Sequence, residues 1–285
     1  MKLLKAGSAA AVIAALALTA TACGGGEDEK SSGGSSGGSS GGGKKITIGI
    51  KFDQPGLALK KPDGTFAGFD VDVARYVARE LGYQPDQIEF KKAPSAQREQ
   101  LIKNGDVDFI VASYSINDKR KKEVDFAGPY FLAHQDLLVR ADDDSITKAE
   151  DLNDKKLCSV TGSTSAQNVK EKLAPKADLQ EFSSYSECLT GLENKTVDAI
   201  TTDDSILAGY AAQPGQQGKF RLAGLSLSDE YYGIGLKKGD GRLRADVNAA
   251  LKKLVQDGSW KKAVEANFGP AHYKNAPAPQ VTEGS

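Results

Sequence analysis

From Lys44 onward, short apolar runs of period two alternate with longer stretches of helical period, and that alternation permits few folds. Ile46, Ile48 and Ile50 mark a strand that ends near Lys51. After a Pro62-Asp63-Gly64-Thr65 turn, Gly68-Phe69-Asp70 leads into a helix with Val73, Tyr76, Val77 and Leu81 on one face, closed by Gly82. A strand at 88–90 follows, then a helix carrying Arg98, Leu101 and Ile102, N-capped by Ser95 and ended by Gly105. Val107, Phe109 and Val111 alternate in the next strand. Strand, helix, strand, helix, strand implies an α/β fold with a parallel sheet wrapped by helices.

The pattern then repeats. Strands are expected at 157–160, 179–182 and 197–201, with one helix opened by Gly162-Ser163-Thr164 and another carrying Leu189 and Leu192. GDVDFIVAS at 105–113 and KTVDAITTD at 195–203 echo one another, each a helix end, a Val-Asp strand and a polar strand tip. Residues 137–139 and 231–236 read as two strands crossing between the halves. A helix over 243–257 places Val247, Leu251, Leu254 and Val255 on one stripe. Trp260, Val264 and Phe268 recur every four residues in a last helix, where Trp260 reads as core. The Pro-rich tail, 271–285, reads as flexible.

The first 43 residues have another character. Lys2 and Lys5 precede an apolar run at 9–18, the pattern of an export signal over 1–22 and too short to span a bilayer comfortably. Ala20-Thr21-Ala22-Cys23 resembles a bacterial lipobox, with Ala20 where Leu or Val is usual, and implies acylation of Cys23. The Gly/Ser-rich stretch 23–43 cannot bury a core; a coil of this length reaches roughly 25 Å, a leash between a membrane and a folded domain. The expected location is the outer face of the cytoplasmic membrane, held by lipid. Acidic and basic residues number 38 and 37, which argues against a nucleic-acid partner.

Ser113 and Ser115 stand at the carboxyl end of the strand that passes Val111, Asn117 is a helix cap, and Arg120 lies in the first turn that follows. Hydroxyls and an arginine at a strand tip suit a small anion, since arginine grips a carboxylate with two charge-assisted bonds. The plain alternative is a solvated basic turn, DKRKKE. Cys158 and Cys188 remain once Cys23 is set aside, an even number in an exported chain, and are expected to be joined rather than left as free thiols. Closing that loop would stabilise by about 3–4 kcal/mol in the chain-entropy account. His134 and His272 have no metal-ligand spacing, so neither metal nor cofactor is expected.

Six segments in order, GFDVDV, NGDVDFIVASYSINDKR, VDFAGPY, VTGSTS, VDAITTD and YYGIGLKK, resemble the polar amino-acid (family 3) solute-binding proteins of bacterial ABC importers. IGIKFDQPG, SAQRE and HQDLLVR resemble its actinobacterial glutamate-binding lipoproteins. The resemblance spans 45–270. It implies the two-lobed (type II) periplasmic-binding-protein fold with two hinge strands. Lobe 1 would be discontinuous, 44–136 with 232–270, and lobe 2 would be 137–231.

It also implies roles. Arg120 would hold a ligand α-carboxylate, with Ser115 and the backbone at Ser113 bonding the same carboxylate and the α-ammonium. Thr164 would favour the anion from a helix N-terminus. Asp203 would pair with the ammonium, with Asp204 more plausible as a helix cap. Lys51, Ser95 and Arg98 would contact a distal carboxylate, and Thr161 and Tyr185 are secondary candidates. Asn117-Asp118-Lys119 departs from the family's Thr-Pro-Glu or Thr-Asp-Glu, which bears on the cap rather than on Arg120. Three cations and one anion leave the site at +2 if no other charge intrudes, matched to glutamate or aspartate. The expected function is therefore a non-enzymatic, monomeric lipoprotein delivering an acidic amino acid to a permease. The alternatives are a glutamine or other polar amino-acid binder, a same-fold dehydratase, or a sensory relay.

Overall fold

The computed structural model describes residues 43–284. The export segment, Cys23 and all but the last residue of the Gly/Ser stretch lie outside them. The chain enters through β1 (Ile46–Ile50), whose three isoleucines are buried. A small sheet follows, formed by β2 (Asp53–Gln54), β3 (Ala58–Lys60) and β4 (Phe66–Ala67). Helix α1 (Phe69–Glu80) buries Val73, Tyr76 and Val77 along one face. Then come β5 (Ile88–Lys92), α2 (Arg98–Asn104) and β6 (Phe109–Ile110), and β1 pairs in parallel with both β5 and β6. The single turn α3 (Asp118–Lys121) is capped by Asn117, whose side chain accepts the Arg120 N–H at 2.9 Å.

Strand β7 (Asp125–Arg140) runs 16 residues without a break. Beyond it lie β8 (Lys156–Val160), α4 (Thr164–Asn168), β9 (Asp178–Phe182), α5 (Tyr185–Glu193), β10 (Ala199–Asp203), α6 (Asp204–Ala211) and β11 (Phe220–Leu222). Here β8 is parallel to both β9 and β10. Strand β12 (Ser228–Leu236) leads back to α7 (Gly241–Gln256) and α8 (Ser259–Phe268). The large sheet has the order β5-β1-β6-β12-β7-β10-β8-β9, with β11 also on β7.

The two parallel blocks are the two lobes, and antiparallel β7 and β12 join them. The crossing is upstream of the expected 137–139. Those residues already pair with β10 and β11 inside the second block, whereas Phe131 and Leu132 face Tyr232 and Tyr231 of β12. The sequence shows only the apolar end of a strand more than twice as long as a usual one.

The core matches most of the periodic positions, with Leu81 and Leu101 half-buried at its edge. Val247, Leu251, Leu254, Trp260, Val264 and Phe268 are buried, but Val255 is 42 % exposed because the stripe on α7 is narrower than expected. Phe69, Phe131, Trp260 and Phe268 pack together, and the Trp260 indole N–H donates to the Tyr130 carbonyl at 2.8 Å. Cys158 and Cys188 form a disulfide that ties β8 to α5.

The C-terminal tail is docked rather than flexible. The N–H groups of Thr282 and Glu283 both donate to the Gly128 carbonyl at 2.9 Å. Asn248 on α7 donates to the Glu283 carbonyl and accepts from the Gly128 N–H, and Lys121 pairs with the Glu283 carboxylate at 2.8 Å. Tyr273 donates to Asp204 at 2.9 Å, while Ala278 and Val281 pack against the core. Proline suits this path because an extended strap on a surface needs few N–H donors. Deleting 273–285 should remove about 2 kcal/mol of stability, lowering Tm by roughly 4–8 °C. An unchanged Tm in a calorimetric scan would contradict a docked tail.

Candidate functional site

The site lies where the carboxyl ends of both parallel blocks face each other across the hinge, the place where open α/β sheets bind ligands. Lys51 follows β1, Ser113 and Ser115 follow β6, and Thr202 and Asp203 end β10. Helix starts supply Arg98 on α2, Thr164 and Ser165 on α4 and Tyr185 on α5. Lys51, Gln54, Ser95, Arg98, Ser113, Arg120, Thr164, Tyr185 and Asp203 line one cavity. Its walls stand so close that it encloses about 10 Å³, room for one water, so an amino acid enters only if the lobes part. An open groove of about 460 Å³, walled by Glu99, Asn117, Ser163 and Gln167, adjoins it at Arg120.

The basic side is built from buried cations. Lys51, 6 % exposed, donates to Ser95 Oγ at 2.7 Å, and this explains why Ser95 does not cap α2. Ser95 lies in a 3-10 turn ahead of that helix, whose N-cap residue, Gln97, makes no side-chain cap bond. Burial, then the charge of Arg98, holds the Lys51 ammonium well below the usual lysine range. Arg98, 2 % exposed, donates from Nη1 to the carbonyls of Ala112 and Ser113 at 3.0 and 3.2 Å, and its Nε has no partner. Its guanidinium lies 4.1 Å from the Tyr114 ring centroid, and that of Arg120 lies 5.1 Å from it.

Arg120 joins the lobes. Its Nη1 donates to the Ser115 carbonyl at 2.7 Å, and its Nη2 donates across the cleft to the Gly162 carbonyl at 3.0 Å. Burial, then Arg98, lowers its guanidinium to about 10. Gly162 permits this approach: its φ is +80°, and a Cβ there would stand 2.8 Å from the Ala96 Cα. Thr161, beside it, is exposed and gives its N–H to the Phe182 carbonyl, so the structure does not bring it to the cavity.

On the acidic side, Asp203 accepts from the Tyr232 hydroxyl at 2.5 Å. Burial, then the charge of Glu230, raises its carboxyl well above the usual range. Asp204 is not a simple cap. As the first residue of α6 it accepts from the His134 N–H at 3.0 Å and from Tyr273, holding helix, hinge strand and tail together.

Sequence reasoning missed four residues. Gln54 accepts from the Ser113 hydroxyl. Asp70 accepts from the Ser113 N–H and the Tyr130 hydroxyl, both at 2.8 Å. The Ser113 N–H is thereby committed, which leaves only its carbonyl for a ligand. Tyr232 and Glu230 come from the hinge, Glu230 accepting from Thr164 at 2.9 Å. Asp70 and Glu230 are 0 % and 4 % exposed, so other charges do intrude and the +2 balance does not hold. Three cations meet the carboxyls of Asp70, Asp203 and Glu230, and Glu99 stands 3.6 Å from the Arg120 Nε. Asp70 and Tyr232 stand within recognised segments, and Glu230 stands one residue before the segment that holds Tyr232; burial was the missing signal. Among the described residues no group of three His, Cys, Asp or Glu could hold a metal, and no helix is long and apolar enough to cross a membrane.

Residues 46–270 match the bacterial extracellular solute-binding proteins, family 3. The chain is 49 % identical over 234 residues to the glutamate-binding protein GluB of Corynebacterium efficiens, covering 79 % of each. It is 41 % identical over 218 residues to the ABC transporter glutamine-binding protein GlnH of Bacillus subtilis, covering 76 % of this chain and 78 % of that one. Among solved structures it is similar to an ancestral arginine-binding protein bound to arginine, with a TM-score of 0.74 and 34 % identity, covering 79 % of this chain and 98 % of that one.

Burial pushes Asp70 from 3.8 up to about 6, against the opposing hydrogen bonds from Tyr130 and Ser113. The folded chain thus holds a proton that the unfolded chain releases, so this contribution to stability is full below about pH 4 and lost as pH rises through about 6. The unfolding free energy of wild type relative to Asp70→Asn should fall by about 2–3 kcal/mol between about pH 4 and 7. A difference that stays flat across that window in urea titrations would refute the assignment.

Proposed function

Because the chain belongs to the bacterial extracellular solute-binding proteins, family 3, we propose that it captures an acidic amino acid, glutamate or aspartate, between its lobes and delivers it to the permease of an ABC importer. It does so as a binding protein without chemistry of its own. The buried Lys51 ammonium carries the choice of ligand. It has three donors and makes one hydrogen bond among the described residues, to Ser95. With the unpartnered Nε of Arg98 beside it, the distal pocket offers spare N–H groups to a second carboxylate. Arg120 and Ser115 take the α-carboxylate and Asp203 the α-ammonium. Tyr185 and Ser113 close the sides, and β7 with β12 is the hinge that opens the walls.

Glutamine is the second reading. Asp70 lies within electrostatic reach of Lys51 and Arg98 and already offsets part of their charge, and a relative named for glutamine shares 41 % identity. Isothermal titration against glutamate, aspartate, glutamine, asparagine and arginine decides between them: tight binding of the acidic pair alone supports the first, and glutamine binding removes the distal-carboxylate assignment. Arg120→Ala should weaken the bound amino acid by about 2–5 kcal/mol, roughly 30-fold to several thousand-fold, because a buried carboxylate loses its partner. Normal binding by that variant would displace Arg120 from the site.

We infer also that a lipid on Cys23 holds the monomeric protein at the outer face of the cytoplasmic membrane, with the Gly/Ser stretch as tether. Cys23→Ala should move the protein into the soluble fraction of cells; retention in the membrane pellet would refute the anchor.

A further inference from the structure

A glycine inside a helix needs a reason, since alanine suits such a position better. Gly209 lies within α6, is buried, and has no left-handed φ that would require it. A Cβ built there would stand 2.0 Å from the Pro55 carbonyl oxygen and 3.0 Å from the carbonyl carbon, and the three nearest atoms to it all belong to Pro55. Pro55 is on the first lobe and α6 on the second. What demands a glycine at 209 is therefore the opposite lobe.

The surface that meets Gly209 is rigid. Gln54-Pro55-Gly56-Leu57 is a tight turn closed by the Leu57 N–H, which donates to the Gln54 carbonyl at 3.1 Å. Proline stands second and a glycine of φ +80° third, the pattern of a type II turn. The first N–H groups of α1, on Phe69 and Asp70, donate to the Gly56 and Leu57 carbonyls at 2.9 Å and fix the turn to its lobe. Neighbouring contacts cross the same gap. The buried Tyr210 hydroxyl donates to the Asp53 carbonyl, and the Ser186 hydroxyl on α5 donates to Asp53 Oδ2 at 3.4 Å. None of Asp53, Pro55, Ser186, Gly209 and Tyr210 lines the cavity.

A ligand enters only when the lobes part, and parting breaks these contacts while leaving each lobe intact. They therefore favour the closed form alone, and the apparent affinity for a ligand held between the lobes scales with the closed fraction. We propose that the turn at Asp53–Pro55, seated against Gly209 and Tyr210 of α6, is an interlobe latch: a positioning contact, outside the ligand's reach, that sets how long a captured amino acid is held. The latch presupposes the amino-acid capture proposed above.

The test uses the full protein. Gly209→Ala adds one methyl, suits the helix, and sets that methyl against a backbone carbonyl held by its turn. Titration, and chase of labelled amino acid by unlabelled, should show release about tenfold faster or more and a dissociation constant raised to match, since changes at an interface act mainly on dissociation. The factor should be the same for every amino acid that wild type binds, because the latch touches none of them. Release at the wild-type rate, or weakening confined to one ligand, overturns the proposal. If thermal melts of the ligand-free variant show that it does not fold, Tyr210→Phe decides. That change removes one interlobe hydrogen bond and should speed release severalfold, and release at the wild-type rate would overturn the latch. A wild type that binds no amino acid overturns the proposed function and the latch with it, and the wild-type titration alone tells that result from the others.

Discussion

The guanidinium of Arg120 is the interaction on which the cleft depends. It is buried, it lies against an aromatic ring, and it donates to carbonyls on both sides, Ser115 of the first lobe and Gly162 of the second. A charge so placed needs hydrogen bonds to offset lost hydration. The local structure serves that need. Asn117 starts the turn that carries Arg120, and Gly162 lets a second backbone come within reach. Two carbonyls, with the Glu99 carboxylate 3.6 Å from Nε, still leave part of the five-donor fork uncommitted, and a ligand carboxylate is the group that fills it best.

Around that contact the charges are layered. Lys51 and Arg98 lie on the first-lobe side, while Asp203, with Glu230 behind Thr164, lies toward the second lobe and the hinge. The separation gives the cavity a direction along which a zwitterion can align. Asp70 tempers the basic end, which is why the identity of the distal group turns on hydrogen-bond donors and not on net charge alone.

The hinge is where long-range order enters. β7 belongs to both lobes along a single 16-residue run, and the tail is fastened to Gly128 on it and to Asp204 beside it. These contacts link residues far apart in sequence, and none of them has a local sign. The proline-rich composition of 271–285 is as compatible with a strap as with a loose end; the acceptors at Gly128 and Asp204 decide it.

The sequence by itself determined the alternation of strands and helices, the two blocks, the core stripes and the strand tips bearing Ser113, Ser115, Arg120 and Asp203, because periodicity and local capping are written in neighbouring residues. It was also enough to place Lys51 and Arg98 in one pocket through likeness to a family. Only the tertiary structure decided that Ser95 answers Lys51 instead of capping a helix, that Thr161 faces solvent, that Val255 leaves the core, and that Asp70, Gln54, Tyr232 and Glu230 share the cleft. The reason is physical. The state and partners of a buried polar group are set by what surrounds it in space, and pairs such as Asp70 with Ser113 or Thr164 with Glu230 are brought together by strand order across the sheet, a property no local stretch of residues contains.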